Sequence, residues 1–144
     1  MALRVRRGFT LLELLVAVAL ALALAGLGLW RLGHAVALQR VHGAALQVAA
    51  DVERAREAAR RTQRAACWQR LDDRRYRLLL EGSATVRSLP KFVFFLEPPP
   101  GARLCYYPPA GEFPASTRKI VLGDRRGHLR KVKIVGVTGK VIVP

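Results

Sequence analysis

Three hydrophobic rhythms follow one another along the chain. From Phe9 to Trp30 almost every position is apolar: 22 residues whose one charge is Glu13, with none from Leu14 to Trp30. That length meets the roughly 20 residues a helix needs to cross a hydrocarbon core. The continuous run then gives way to a stripe. Leu38, Val41, Ala45, Val48, Val52, Ala55 and Ala59 recur at alternating spacings of three and four, the pattern of one buried helix face. Arg40, Asp51, Glu53, Arg54, Arg56, Glu57, Arg60, Arg61 and Arg64 fall opposite, toward solvent. Glu53 with Arg56, and Glu57 with Arg60 and Arg61, stand at helical pairing distances worth a few tenths of a kcal/mol each. Gly26, Gly28 and Gly33 weaken this helix locally. The pattern predicts one helix from Phe9 to about Ala66, apolar over 9–30 and amphipathic over 31–66. If continuous, it is about 85 Å long at about 1.5 Å per residue.

After Cys67 the rhythm shortens to β-type runs. Tyr76–Leu80, Thr85–Leu89, Phe92–Leu96, Leu104–Tyr107, Lys119–Leu122, Leu129–Val135 and Val141–Val143 are separated by Gly- and Pro-bearing turns. Glu81-Gly82-Ser83, Glu97-Pro98-Pro99-Pro100-Gly101 and Gly123-Asp124-Arg125-Arg126-Gly127 are the clearest of these. Such spacing predicts an antiparallel meander over 67–144. A long helix followed by strands makes the fold class α+β, with the helix covering one sheet face.

Charge adds a constraint. Residues 31–144 hold 22 Lys and Arg against 9 Asp and Glu, an excess that favours an anionic partner such as nucleic acid, lipid or an acidic protein surface. Two cysteines, Cys67 and Cys105, complete the count. In an exported domain such a pair reads as a disulfide before a metal site, although the sequence leaves the pairing itself open.

The N-terminus admits three readings. A secretory signal would use Arg4, Arg6 and Arg7 as its basic region and Ala23-Leu24-Ala25 as its cleavage site, but the apolar run exceeds the 7–15 residues of such signals and holds a charge. A plain anchor explains the length, with the arginines on the cytoplasmic side, and leaves Glu13 without a reason. The third reading covers all of it. Arg7-Gly8-Phe9-Thr10-Leu11-Leu12-Glu13-Leu14-Leu15 closely resembles the cleavage and methylation motif of type IV prepilins and type II secretion pseudopilins.

That resemblance implies a leader of residues 1–8, cut after Gly8 by a prepilin peptidase that methylates the new Phe9 amine. It implies that Glu13 is an assembly residue facing the Phe9 amine of a neighbouring subunit, since a buried carboxylate is tolerated opposite a positive charge. The implied partners are other pilins or pseudopilins in a helical filament, the peptidase, an inner-membrane assembly platform and membrane lipid. The implied location is the bacterial inner membrane, crossed once with the C-terminal domain outside, and the filament or cell surface after assembly. The motif serves both the type IV pilus and the type II secretion pseudopilus.

The C-terminal half also resembles the closing hairpin of the GspH/FimT-type minor pilin domain, on Pro109-Ala110-Gly111-Glu112-Phe113, Lys119–Leu122, Arg130–Val135 and Gly139-Lys140-Val141. Some members of that type bind DNA during uptake through a basic C-terminal region. Their arginine pair around the last glycine is replaced here by Gly139-Lys140-Val141-Ile142.

Nothing in the sequence points to catalysis, and neither a cofactor nor a metal is expected. His34, His42 and His128 lie far apart and read as surface residues. Asp72-Asp73, flanked by Arg70, Arg74 and Arg75, reads as a solvated turn. No phosphate-binding glycine loop or nucleophile elbow is present. What remains is a basic stripe. Arg118, Lys119, Arg125, Arg126, Arg130, Lys131, Lys133 and Lys140 put eight positive charges into 23 residues, with Asp124 the one acid among them. Alternation sends Lys131 and Lys133 to one sheet face, Val132 and Ile134 to the other. Such a stripe suits phosphate contacts without base readout. Solvated charges that guard a strand edge give the same pattern, as does contact with anionic lipid or an acidic protein. Tyr106, Tyr107 and Phe113, just upstream, are the aromatics that would flank it.

Overall fold

In the computed structural model, residues 10–109, 118–136 and 138–144 are described, residues 28–30 by backbone alone. One helix, α1 (Leu11–Thr62), precedes eight strands: β1 (Ala66–Arg70), β2 (Arg75–Leu80), β3 (Ser83–Ser88), β4 (Val93–Glu97), β5 (Arg103–Tyr106), β6 (Arg118–Asp124), β7 (Leu129–Val135) and β8 (Lys140–Ile142). The chain divides between Val36 and Ala37 into two compact units. In the first, the described side chains of α1 from Leu11 to Leu27 are exposed. The second holds the rest of α1 and every strand.

The helix stops earlier than its polar pattern suggests. Gln63 takes a left-handed φ of 53°, which ends the helical repeat. Thr62 Oγ1 donates to Ala58 O (2.8 Å) and Gln63 Nε2 to Arg60 O (2.8 Å), so side chains satisfy two carbonyls of the last turns. Ala66, expected at the end of the helix, instead opens β1. The sequence did not announce this strand, because Ala66-Cys67-Trp68-Gln69-Arg70 is buried at almost every position and does not alternate.

The expected meander is also corrected: there are two antiparallel sheets of four strands, ordered β3-β2-β1-β5 and β4-β6-β7-β8. After β3 the chain crosses to the second sheet as β4, then returns to pair β5 with β1. The β2–β3 connection is a two-residue loop in which Glu81 and Gly82 both have positive φ (52° and 84°), the geometry that matches hairpin twist. Cys67 and Cys105 are direct partners across β1 and β5 and are joined as a disulfide. Closing a loop of 38 residues stabilises the fold by about 4 kcal/mol in the chain-entropy model.

Both sheets share one core with the second part of α1. Val41, Ala45, Val48, Val52, Ala55 and Ala59 are fully buried there, so the predicted stripe is the packed face. Trp68 on β1, Tyr76 on β2 and Phe95 on β4 knit the sheets together. Trp68 stacks on Tyr76 at 5.7 Å, and Phe95 meets both edge-on at 5.6 and 5.8 Å. Arg70 secures the crossover beside them. It is 3% exposed with its guanidinium 5.6 Å from the centre of the Phe95 ring. It donates to Asp72 O, Pro98 O and the Asp73 carboxylate. Asp72-Asp73 is thus a turn, as expected, but one built around a buried arginine.

Asp51 overturns its assignment to the solvent face. It is 1% exposed, accepts a hydrogen bond from the Tyr76 hydroxyl at 2.7 Å, and pairs with Arg54 at 3.0 Å and Arg87 at 3.5 Å. Burial first, then the hydrogen bond to Asp51 and its negative charge, holds the Tyr76 hydroxyl well above its ordinary pKa of 10.0. The phenol therefore remains a donor at any physiological pH. Tyr76→Phe removes that donor while keeping the ring, and we expect it to destabilise the domain by about 1.5–3 kcal/mol, read as a lower urea midpoint at unchanged slope. An unchanged midpoint would mean that the two arginines suffice for Asp51.

Candidate functional site

The first candidate region is the start of α1. Gly8 and Phe9 lie outside the described residues. Thr10 caps the helix: its Oγ1 accepts from Glu13 N–H (3.2 Å) and its carbonyl from Leu14 N–H (3.2 Å). Thr-Leu-Leu-Glu is the sequence pattern of a capping box, so Glu13 sits in the first turn, where the helix dipole favours a carboxylate. Around it Leu11, Leu12, Leu14, Leu15 and Val16 are all at least half exposed. Among the described residues, α1 is the helix long and apolar enough to cross a membrane.

The second region is the second sheet's outer face. Strand register divides the eight predicted basic residues into three sets. Lys119 lies opposite Lys133, Lys131 opposite Val121, and Lys140 opposite Val135. These four lysines share the outer face and are exposed. Arg118 and Arg130 belong to the other set, opposite Ile134 and Leu122, which corrects the single stripe; Arg130 is half-buried. Arg125 and Arg126 are exposed in the β6–β7 turn. Lys119 is partly offset by Glu97, 3.0 Å away on β4. Gly123 is closely packed on this face: a Cβ there would stand 2.9 Å from Leu129 Cδ2 and 3.0 Å from Leu96 Cδ1, so those side chains would have to shift.

The β6–β7 turn is built on Asp124. Its carboxylate accepts from the backbone N–H groups of Arg126 (2.9 Å) and His128 (3.0 Å) and meets His128 Nδ1 at 2.7 Å. His128 is therefore largely buried and partnered, not the surface residue expected. Burial pushes the Asp124 carboxyl up, but the hydrogen bonds from His128 and Arg126 outweigh it and leave the pKa below the ordinary 3.8.

The aromatics divide differently from expectation. Tyr106 is fully buried, its hydroxyl donating to Gly139 O at 3.0 Å, so it flanks nothing. Tyr107 is half-exposed, and Phe113 lies outside the described residues. Sequence reasoning passed over Phe92, which was counted as a strand residue. It stands in a turn with a φ of 71° and is 65% exposed. Its signal was present in Leu89-Pro90-Lys91-Phe92, since proline marks turns and interrupts strands. Among the described residues, no group of three or more His, Cys, Asp or Glu is arranged to hold a metal.

These features define a class first: a chain with an apolar, carboxylate-bearing N-terminal helix whose later turns form the wall of a two-sheet domain. Comparison with known proteins sharpens that class. Residues 3–29 match the family model of the prokaryotic N-terminal methylation motif. The fold is similar to that of the type IV minor pilin FimU of Pseudomonas aeruginosa (strain PAO1). The TM-score is 0.60 at 18% identity, covering 74% of this chain and 89% of that one. No curated protein matches the chain. The chain thus carries the prokaryotic N-terminal methylation motif and has a fold similar to that of a type IV minor pilin.

Because its pKa is lowered, Asp124 stabilises the turn above the ordinary carboxylate value, and the contribution fades as pH falls through the lowered one. Asp124→Ala should cost about 1–3 kcal/mol at neutral pH, the deficit shrinking as pH falls below the ordinary carboxylate value and the wild-type carboxyl protonates. Denaturation curves at several pH values check this; a deficit that does not depend on pH would refute the charge argument.

Proposed function

We propose that the chain is the precursor of a minor pilin or pseudopilin, a structural subunit without catalytic activity. Prepilin peptidase cuts it after Gly8 and methylates Phe9. The apolar part of α1 holds it in the inner membrane with the β domain outside, until the assembly platform moves it into a filament of other pilins. One observation carries this reading: a single carboxylate, Glu13, in the first turn of an apolar run whose described side chains, Leu11 to Leu27, are exposed. The filament supplies their cover, and the Phe9 amine of a neighbouring subunit supplies the countercharge.

The test begins with the mature protein. Its intact mass and N-terminal sequence should correspond to a chain beginning at methylated Phe9. Glu13→Ala should be processed normally and yet be absent from sheared filaments. Wild-type levels of the variant in filaments would contradict the pairing role.

A second reading concerns the partner of the outer face, and the shared exposure of Lys119, Lys131, Lys133 and Lys140 favours it. We infer that this face and the arginine turn contact the phosphates of DNA, in the service of DNA uptake by a type IV pilus. A pseudopilus working in protein export has no need of such contacts. Neutralising Arg125, Arg126, Lys131 and Lys133 together should lower the dependence of log affinity on log salt by about 3.6 for duplex DNA, whatever its sequence, while filaments still form. If the salt slope is unchanged, the face does not contact DNA.

A further inference from the structure

We propose that the turn at Lys91-Phe92 is a base-stacking platform that makes the basic end of the second sheet prefer single-stranded over duplex nucleic acid. The inference rests on the phosphate-contact reading of that sheet and adds a selectivity to it.

The turn runs from Pro90 to Val93, closed by the Val93 N–H donating to Pro90 O at 3.2 Å. Both flanks are fixed. Leu89 and Val93 are buried, and the Leu89 N–H donates to Arg74 O at 2.7 Å. Between these anchors Phe92 occupies the third turn position at a φ of 71°, a place that ordinarily demands glycine or asparagine. A bulky aromatic there is a true outlier. The same residue also exposes an aromatic ring to water, at 65%. Backbone strain and exposed apolar area are thus both accepted at one residue. Nothing in the core benefits, since Leu89 and Val93 anchor the turn without it. Strain held in this way is characteristic of binding sites.

Register supplies the ligand chemistry. Val93 is the partner of Asp124, so Phe92 and Arg125 are the next residues outward at the same end of adjacent strands. Phe92 thus shares that end of the sheet with Lys91 on its own turn and Arg125-Arg126 on the neighbouring one, all exposed. An aromatic face bordered by cations is the arrangement that takes an unpaired base on the ring and its phosphates on the charges. A duplex keeps its bases stacked and offers the ring no face. The lysines beyond it on β6, β7 and β8 extend the phosphate track.

The experiment uses full-length mature protein in detergent micelles, with a fluorescent oligothymidine, an abasic strand of equal length and a duplex, compared at one low salt concentration and, for the duplex, across a salt series. Wild type should bind the oligothymidine about tenfold more tightly than the abasic strand. Phe92→Gly should abolish that difference, leave duplex affinity and salt slope unchanged, and melt no lower than wild type, because glycine relaxes at this φ. Phe92→Trp should retain the preference. Equal wild-type affinity for oligothymidine and the abasic strand, or a Phe92→Gly protein that still distinguishes them, would overturn the stacking role while leaving phosphate contact standing. Failure of wild type to bind any of the three at low salt would instead remove the phosphate-contact reading, and this inference with it.

Discussion

The interaction on which the domain depends is the packing of one face of α1, Val41 to Ala59, under two sheets at once. The face is built from valine and alanine, and small side chains let both sheets approach the helix backbone closely. The bulk that fills the space comes from the strands: Trp68, Tyr76 and Phe95, drawn from both sheets, meet with ring centres less than 6 Å apart. Burying each such ring contributes on the order of 1.5–3 kcal/mol, but only if β4 reaches across to join β1 and β2. Arg70 makes that crossing specific, because its donors hold the loop after β4 and the turn after β1 in one network. Asp51 does the same for the helix, fixing its rotation through Tyr76 and Arg87.

The first part of the helix obeys the same physics with no internal solution. From Leu11 to Leu27 its described side chains are exposed, and each leucine left in water forgoes a burial worth about 1.5–3 kcal/mol. By length and composition the run suits an external apolar medium. In such a medium Glu13 is the difficulty. The helix dipole returns about 0.3–1 kcal/mol to a carboxylate in the first turn, whereas taking that charge out of water costs several kcal/mol. The dipole alone cannot hold it, and a positive group reaching the same turn can. That imbalance is why the position argues for a partner chain more strongly than the apolar run beside it does.

Much of this was legible before any coordinates. The stripe from Val41 to Ala59 could be read because helical period survives in sequence wherever a single face is buried. The turns at Gly82 and Gly127 were marked by the residue their positive φ requires. What escaped was set by tertiary contact. β1 does not alternate because it lies between two other strands and under the core. Asp51 and Arg70 carry charges that one-dimensional patterning assigns to solvent, and partners 25 to 36 positions away in the chain, Tyr76, Arg87 and Pro98, join their local ones to make their burial tolerable. Two sheets in place of one follow from where β4 and β5 find partners, a choice that local propensity does not encode.

The basic residues show how far counting charges along a chain departs from a surface. Eight cations in 23 residues look like one stripe, yet alternation on paired strands places four lysines on a common face and turns Arg118 and Arg130 to the other. Lysine suits the retained set, since a flexible point charge follows a phosphate chain without the fixed fork geometry that arginine imposes. The arginines that remain on the surface gather at the β6–β7 turn, where Asp124 organises the backbone beneath them. On the next strand the chain holds Phe92 outward against its own backbone preference. Strand register and turn geometry are independent constraints, and in this sheet they converge on one end.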